Sequence, residues 1–452
     1  MAGSTEAWEA SVVIRSTSII LALGLASLAC TGTSELKSVN PPTSTAVPST
    51  TTTSTAPPTT TTSPPAATTT TTSPIPLVWP ADVGTNHFGV LGRSFAVAGG
   101  WIRPHPGVFL WSDIERSAGY FDWTMSDWNV RDWQADRLAI LATVWPFATW
   151  DQESCHGDEP VIQPVLWELP RRLFAPCDTN AYQEWLTALI ERYDGDGVDD
   201  MPGLVYPIRH WEIANEPGMQ GGHGYFFQGT SADYLSLLKT SAATIRAADP
   251  QALILTGGQS GMQIPFTDFW RPVLQGADGY FDIGNIHSIG SAPSFFSAQY
   301  RAFLDETGHA GVDYWVTEAL LPTRAGPYEL PPTPDQLARE TITGFVTALV
   351  DGATRIFNVG PHDPTGGPGP ASDAAFEMLA RSIGEFTSAS WLSASSARFD
   401  LEDGKSVFVL WDDAGLPADL TGEVTTTRYD GTTGTAEASS FRADVPTLVL
   451  LG

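Results

Sequence analysis

Beyond Pro80 the chain alternates short apolar runs with segments of helical period, and the alternation continues to about residue 388. Runs of strand character fall at 87–91, 100–103, 138–145, 209–215, 252–257, 281–287, 313–318 and 354–360. Helical periodicity marks 180–193, 231–248, 334–350 and 372–386. Several helices open with Ser, Thr or Asp. Asp194-Gly195-Asp196-Gly197, Asp249-Pro250 and Asp351-Gly352 read as stops. Eight strands alternating with helices predict an α/β chain folded as a (β/α)8 TIM barrel over residues 79–390. The competing architecture is an open doubly wound sheet. No Gly-x-Gly-x-x-Gly turn follows the first strand, which favours the barrel.

After Phe386 the period changes to that of strands. Runs at 395–411, 422–429 and 445–451, with turns at Asp403-Gly404 and Asp430-Gly431, predict a small C-terminal β domain over residues 391–452. It reads as a structural cap on the barrel rather than a carbohydrate-binding module, since only Trp411 and Tyr429 stand out as stacking surfaces. At the other end, Ile19 to Ala29 is an apolar run preceded by Arg15, too short to span a bilayer. It suits a signal peptide over residues 1–30. The run ends in Ser27-Leu28-Ala29-Cys30, which resembles a bacterial lipoprotein processing site with Cys30 as the lipidated residue, although Ser27 stands where Leu is usual. Residues 31–78 form a linker dominated by Thr, Ser and Pro. It has too little apolar surface to offset the entropy of ordering and is expected to be disordered. A long spacer after an anchor would hold the barrel away from a surface.

Composition narrows the choice of partner. Of 452 residues, 51 are acidic and 23 basic, and the net charge of −28 argues against nucleic acid or an anionic membrane surface. Membrane association is expected only through the Cys30 lipid. The 16 Trp are many for this length and lean towards carbohydrate, because Trp rings stack on sugar faces. Cys155 and Cys177 are the remaining cysteines; in an exported chain they are expected to form a disulfide. No Cys-x-x-Cys or His-x-x-x-His spacing suggests a metal site, and no cofactor is expected.

Two predicted strands end in glutamate. Arg209-His210-Trp211-Glu212-Ile213-Ala214-Asn215-Glu216-Pro217 closes the fourth strand, and Asp313-Tyr314-Trp315-Val316-Thr317-Glu318 closes the seventh. Catalytic groups of such barrels stand at the C-terminal ends of strands. A pair of carboxyl groups is the equipment for cutting a glycosidic bond. Glu212, four residues before Glu216, is expected to point into the barrel and pair with a cation such as Arg103.

Trp-Glu-Ile-x-Asn-Glu-Pro at strand four and Trp-Val-Thr-Glu at strand seven resemble the retaining glycoside hydrolases of clan A, closest in flavour to families 39 and 5. The similarity covers residues 85–390, and the two short motifs are its sharp part. The resemblance implies a retaining double displacement on an O-glycoside, with Glu216 as acid/base, Glu318 as nucleophile and Asn215 on the substrate 2-hydroxyl. The run Trp101-Ile102-Arg103-Pro104-His105 carries a strand-two Arg of the kind the clan often shows, and Arg103 is expected to support the nucleophile. Trp111, Trp145 and Trp150 are candidate sugar platforms, and His287 is a candidate site residue. The chain departs from the clan twice. His287-Ser288-Ile289 lacks the Tyr that follows the strand-six His, and Ile356-Phe357-Asn358-Val359 lacks the strand-eight Trp. These gaps keep open two rivals, a non-catalytic carbohydrate-binding barrel and a cell-wall transglycosylase. The expected substrate is an oligosaccharide, polysaccharide or glycoside, met outside the cell or at its surface.

Overall fold

A computed structural model describes residues 76–92, 100–162, 168–220, 226–290, 292–321, 333–359 and 370–451. The signal peptide, Cys30 and almost all of the linker lie outside the described residues. Eight parallel strands close into a barrel in chain order. They are β1 (Phe88–Leu91), β2 (Trp101–Arg103), β3 (Ala139–Val144), β4 (His210–Ile213), β5 (Leu253–Thr256), β6 (Ile283–Ile289), β7 (Asp313–Leu320) and β8 (Arg355–Asn358). Closure is made by β1 against β8, with Gly89 opposite Phe357.

The helices are α1 (Trp111–Ile114), α2 (Thr124–Ala135), α3 (Thr149–His156), α4 (Thr179–Tyr193), α5 (Ser231–Ala248), α6 (Ile264–Gly276), α7 (Ser297–Glu306), α8 (Pro334–Val350) and α9 (Pro370–Ile383). Their starts are chemically marked. Asp178 accepts from the backbone N–H groups of Asn180 and Ala181 at the start of α4. Thr230 with Asp233, and Thr333 with Gln336, form reciprocal capping boxes on α5 and α8. Each such cap stabilises its helix by about 1 kcal/mol.

Side chains alternate along a strand, so the barrel interior is read at every second residue. At the N-terminal end the interior is an apolar plug of Trp101, Leu141, Leu255, Ile283, Trp315 and Phe357. Two residues further along the same strands the interior turns polar, with Arg103 after Trp101, Thr143 after Leu141, Asn285 after Ile283 and Thr317 after Trp315. That change of character within one layer floors the site described below.

The C-terminal residues form a six-stranded antiparallel sheet in the order β13-β12-β14-β11-β10-β9. Its strands are β9 (Phe386–Ser393), β10 (Ser396–Leu401), β11 (Ser406–Leu410), β12 (Glu423–Arg428), β13 (Thr433–Glu437) and β14 (Thr447–Leu451). The sequence pattern extends the last helix to Phe386. In the structure α9 stops at Ile383 and Phe386 opens β9 instead. This edge strand is almost wholly exposed, so its side chains show no alternation to read. One face of the sheet, with Val407, Val409 and Trp411, shares a continuous core with Phe345 of α8 and Phe376 of α9. The other face, with Phe408, Leu410 and Val449, buries its own smaller cluster. Arg339 of α8 pairs with Asp412, and the Tyr429 hydroxyl donates to Asp335 at 2.6 Å. Trp411 is buried and Tyr429 is tied down, so the two rings fasten the sheet to the barrel's helices.

Candidate active site

Two backbone irregularities build the site. Regular alternation would send Asn215 and Glu216 to opposite faces of β4. Ala214 and Glu216 instead take left-handed φ values of 61° and 41°, which breaks the alternation at the strand end. A side chain other than glycine held there costs of order 1–3 kcal/mol and persists only where surrounding contacts impose it. On β7 the register with β6 shifts between Val316 and Glu318, opposite Ile286 and His287, so Thr317 is an extra residue on that strand. The register with β8 shifts in the same place. Such a bulge re-aims side chains; Thr317 and Glu318, though adjacent, both contact His287.

The resulting cluster joins five strands. The Arg103 guanidinium, fully buried, donates from Nε and Nη2 to Glu212 at 2.7 and 3.0 Å. From Nη1 it donates to Glu318 Oε1 at 2.7 Å, and from Nη2 to Asn215 Oδ1 at 2.6 Å. Glu212 therefore pairs with Arg103, as its spacing suggests, and also accepts from Thr143 at 2.6 Å and Asn285 at 2.7 Å. Burial alone would raise the Glu212 carboxyl, but Arg103 outweighs it and brings the pKa down to about 2. Glu212 is a permanent anion whose work is to orient Arg103. With its Oδ1 held by Arg103, Asn215 is left with a buried Nδ2 that has no partner among the described residues.

His287 links the two strand-end glutamates. Its Nδ1 lies 3.0 Å from Glu216 Oε1 and 3.6 Å from Glu318 Oε1. Its Nε2 lies 2.8 Å from the Thr317 hydroxyl. Thr317 donates its own proton to Asn285 Oδ1 at 2.7 Å, so Nε2 is the donor of the His287–Thr317 bond. Burial opposes charge on this imidazole, but Glu318, with nearby Glu212 and the hydrogen-bonded Glu216, outweighs it and raises the pKa to about 9. At neutral pH His287 is an imidazolium donating to Glu216. The space it fills exists because β5 is followed by glycine: a Cβ on Gly258 would lie 2.0 Å from His287 Nε2.

Burial pushes the Glu318 carboxyl above its ordinary range. The His287 and Arg103 cations pull the other way, and the Glu216 charge adds to the rise. One oxygen from each glutamate and a His287 nitrogen all lie within 4.8 Å of one another. Both glutamate side chains keep a little exposure, 7% for Glu216 and 8% for Glu318, whereas Glu212 keeps none. The pair is therefore open to the barrel mouth and Glu212 lies beneath it.

Of the residues singled out from sequence, Glu216, Glu318, Asn215, Arg103 and His287 converge on this cluster. The tryptophans do not. Trp111 is fully buried between Trp150, Tyr182 and Trp185, and Trp145 is fully buried with its indole N–H on the Pro106 carbonyl. Expected as sugar platforms, both are core rings, because the segments after β2 and β3 pack on each other and leave no free face. Trp150 is half-buried, edge-on to Trp111, and donates to the Glu115 carbonyl. Cys155 and Cys177 form a disulfide from α3 to the segment before α4. Sequence reading missed Thr143, Asn285, Thr317, Gly258 and His105. Asn285 and His105 carried a usable signal, since each stands two residues from a residue already suspected.

No family profile and no curated protein matches the chain. Solved structures do match in fold. A glucosidase from Croceicoccus marinus superposes with a TM-score of 0.53 at 13% identity, covering 81% of this chain and 95% of that one. A conserved exported protein from Bacteroides fragilis gives 0.53 at 12% identity, with 76% and 82% covered. The catalytic domain of GH30 xylanase C from Talaromyces cellulolyticus gives 0.50 at 13% identity, with 84% and 98% covered. At these identities the likeness is one of architecture: a closed eight-stranded barrel carrying an antiparallel sheet.

Proposed function

We propose that this protein hydrolyses O-glycosidic bonds with retention of anomeric configuration, in the manner of the clan A enzymes its two glutamate motifs resemble. The observation that carries the reading is the approach of Glu216 and Glu318, from strands far apart in sequence, to within 4.8 Å at one end of a closed barrel. Retaining enzymes hold their two carboxyl groups about 5–5.5 Å apart, whereas inverting ones leave about 6.5–9.5 Å for a water. The spacing is shorter than the gap an inverting pair keeps for its water and suits direct attack. The neighbours that share this fold include a glucosidase and a xylanase, which agrees with a carbohydrate substrate.

In the first step Glu318 attacks the anomeric carbon and the glycosidic C–O bond breaks. Glu216 gives its proton to the departing oxygen. Arg103 holds Glu318 Oε1, which leaves the other oxygen free as nucleophile. In the second step Glu216 takes a proton from water, the water oxygen bonds to the anomeric carbon, and the Glu318 ester is released. The free Asn215 amide N–H is suited to the substrate 2-hydroxyl. With Glu216 carrying the proton it donates, the Glu212 and Glu318 carboxylates balance the Arg103 and His287 cations, and the Glu318 carboxylate beside the anomeric carbon favours a transition state with oxocarbenium character.

The disulfide agrees with an oxidising location, and among the described residues no helix is long and apolar enough to cross a membrane. We therefore read the protein as exported and held at the surface through Cys30. A Cys30→Ala variant should then fractionate away from membranes, and unchanged membrane retention would sink the anchor. The catalytic reading is tested with a panel of aryl and polymeric glycosides. Glu318→Gln should lower turnover by several orders of magnitude with the melting curve intact, and a 2-fluorosugar should label Glu318. Undiminished turnover, or label on another residue, would refute the assignment.

A further inference from the structure

We infer that His105 recognises one ring hydroxyl of the sugar held at Glu318, and so helps set which sugar this site accepts. The inference rests on the glycosidase reading and goes beyond it, because neither motif that carries that reading includes His105.

His105 follows Arg103 by two residues, so it continues the line of interior side chains past the end of β2. Its Nδ1 lies 3.7 Å from Glu318 Oε1, the oxygen that Arg103 holds at 2.7 Å. That gap is too long for a hydrogen bond. It does suit a bridge, since a hydroxyl oxygen about 2.8 Å from each atom would bond to both. Nδ1 is buried and has no hydrogen-bond partner among the described residues. A buried polar atom left unsatisfied is costly unless something arrives to pair with it. The side chain as a whole keeps 15% exposure.

The ring is held by packing. It lies 5.9 Å from Trp145 and 6.3 Å, edge-on, from Phe226. The charged groups that face it are Arg103, Glu212, His287 and Glu318. Burial, and then the Arg103 and His287 charges, hold His105 well below its ordinary pKa, so it meets the sugar as a neutral imidazole. A neutral ring can accept at one nitrogen and donate at the other, which fits a hydroxyl that also donates to Glu318. The sequence has Ile289, not Tyr, two residues after His287, and His105 supplies an uncharged polar group beside the nucleophile from a different strand.

The test uses the whole protein, a good aryl glycoside and its set of monodeoxy analogues. His105→Phe keeps an aromatic ring against Trp145 and Phe226 but removes the nitrogens; His105→Asn keeps a polar atom near the Nδ1 position. For the parent sugar His105→Phe should lose 10- to 100-fold in kcat/KM, and His105→Asn should recover part of it. For one monodeoxy analogue the wild type and His105→Phe should be nearly equal. The pH profile should keep its shape, because the group does not titrate in the working range. Sugar binding, measured by calorimetry on Glu318→Gln protein with and without His105→Phe, should show the same single-position pattern. A loss spread equally over all positions, or no loss with the melting curve unchanged, overturns the inference while leaving the hydrolase reading in place. Position-specific binding without turnover by the wild type would support His105 and sink hydrolysis. Neither binding nor turnover on any sugar would sink both.

Discussion

Replacing Gly258 by Ala tests whether the His287 bridge is what makes the two glutamates a working pair. The added Cβ would stand 2.0, 2.2 and 2.3 Å from His287 Nε2, Cε1 and Cδ2. Ordinary contact needs about 3.4 Å or more, so the ring must retreat by over 1 Å or the β5 end must move. Retreat breaks the 3.0 Å bond to Glu216 and the 2.8 Å bond to Thr317. Overpacking of this kind costs about 1–3 kcal/mol, and a charged hydrogen bond adds about 1.5–3 kcal/mol. We expect a loss of about 3–5 kcal/mol in stability and at least 100-fold in kcat/KM, by the factor of ten per 1.4 kcal/mol.

Linkage gives the pH dependence. The His287 pKa is raised from its ordinary 6.5 to about 9, so its ion pairing contributes stability that is fully present below 6.5 and lost as pH rises through 9. The shift is worth on the order of 3 kcal/mol. Denaturant unfolding of wild type and Gly258→Ala should therefore differ most below pH 6.5 and least above pH 9, where only the steric part remains. Gly434→Ala, on the C-terminal sheet with a Cβ only 3.4 Å from Thr426, serves as the benign control. An equal stability gap at low and high pH, or wild-type kcat/KM in Gly258→Ala, would refute the account.

Glu216→Gln, assayed on an aryl glycoside whose leaving group needs no acid, should move the acidic limb of the residual kcat/KM profile to lower pH. The Glu216 charge raises the Glu318 carboxyl, so its removal lowers that pKa, while His287 stays protonated at acid pH and does not offset the change; an unmoved or raised limb would contradict the coupling. Converting both Cys155 and Cys177 to Ser opens a link of sequence separation 22 and should lower stability by about 3 kcal/mol from chain entropy alone. Equilibrium unfolding checks this, and a loss below about 1 kcal/mol would mean that the segment is held by other contacts.

The sequence by itself determined the barrel and the identity of its strand ends. Apolar period is a local property, and each of the eight strands sits where a short apolar run was legible. The Glu216 and Glu318 motifs were legible because each follows such a run, Glu216 just past the end of β4 and Glu318 near the end of β7. Tertiary structure alone decided which neighbours those residues meet. The left-handed turns at Ala214 and Glu216, the extra residue at Thr317 and the clearance at Gly258 arise from closing eight strands around one axis, and no run of hydrophobicity encodes them. The same holds for Trp111 and Trp145. A tryptophan beyond a strand end carries no mark of whether another segment will cover it, and here the fold covers both. Local pattern names the groups that could do chemistry; the meeting of distant strands determines their protonation, their partners and their access to a ligand.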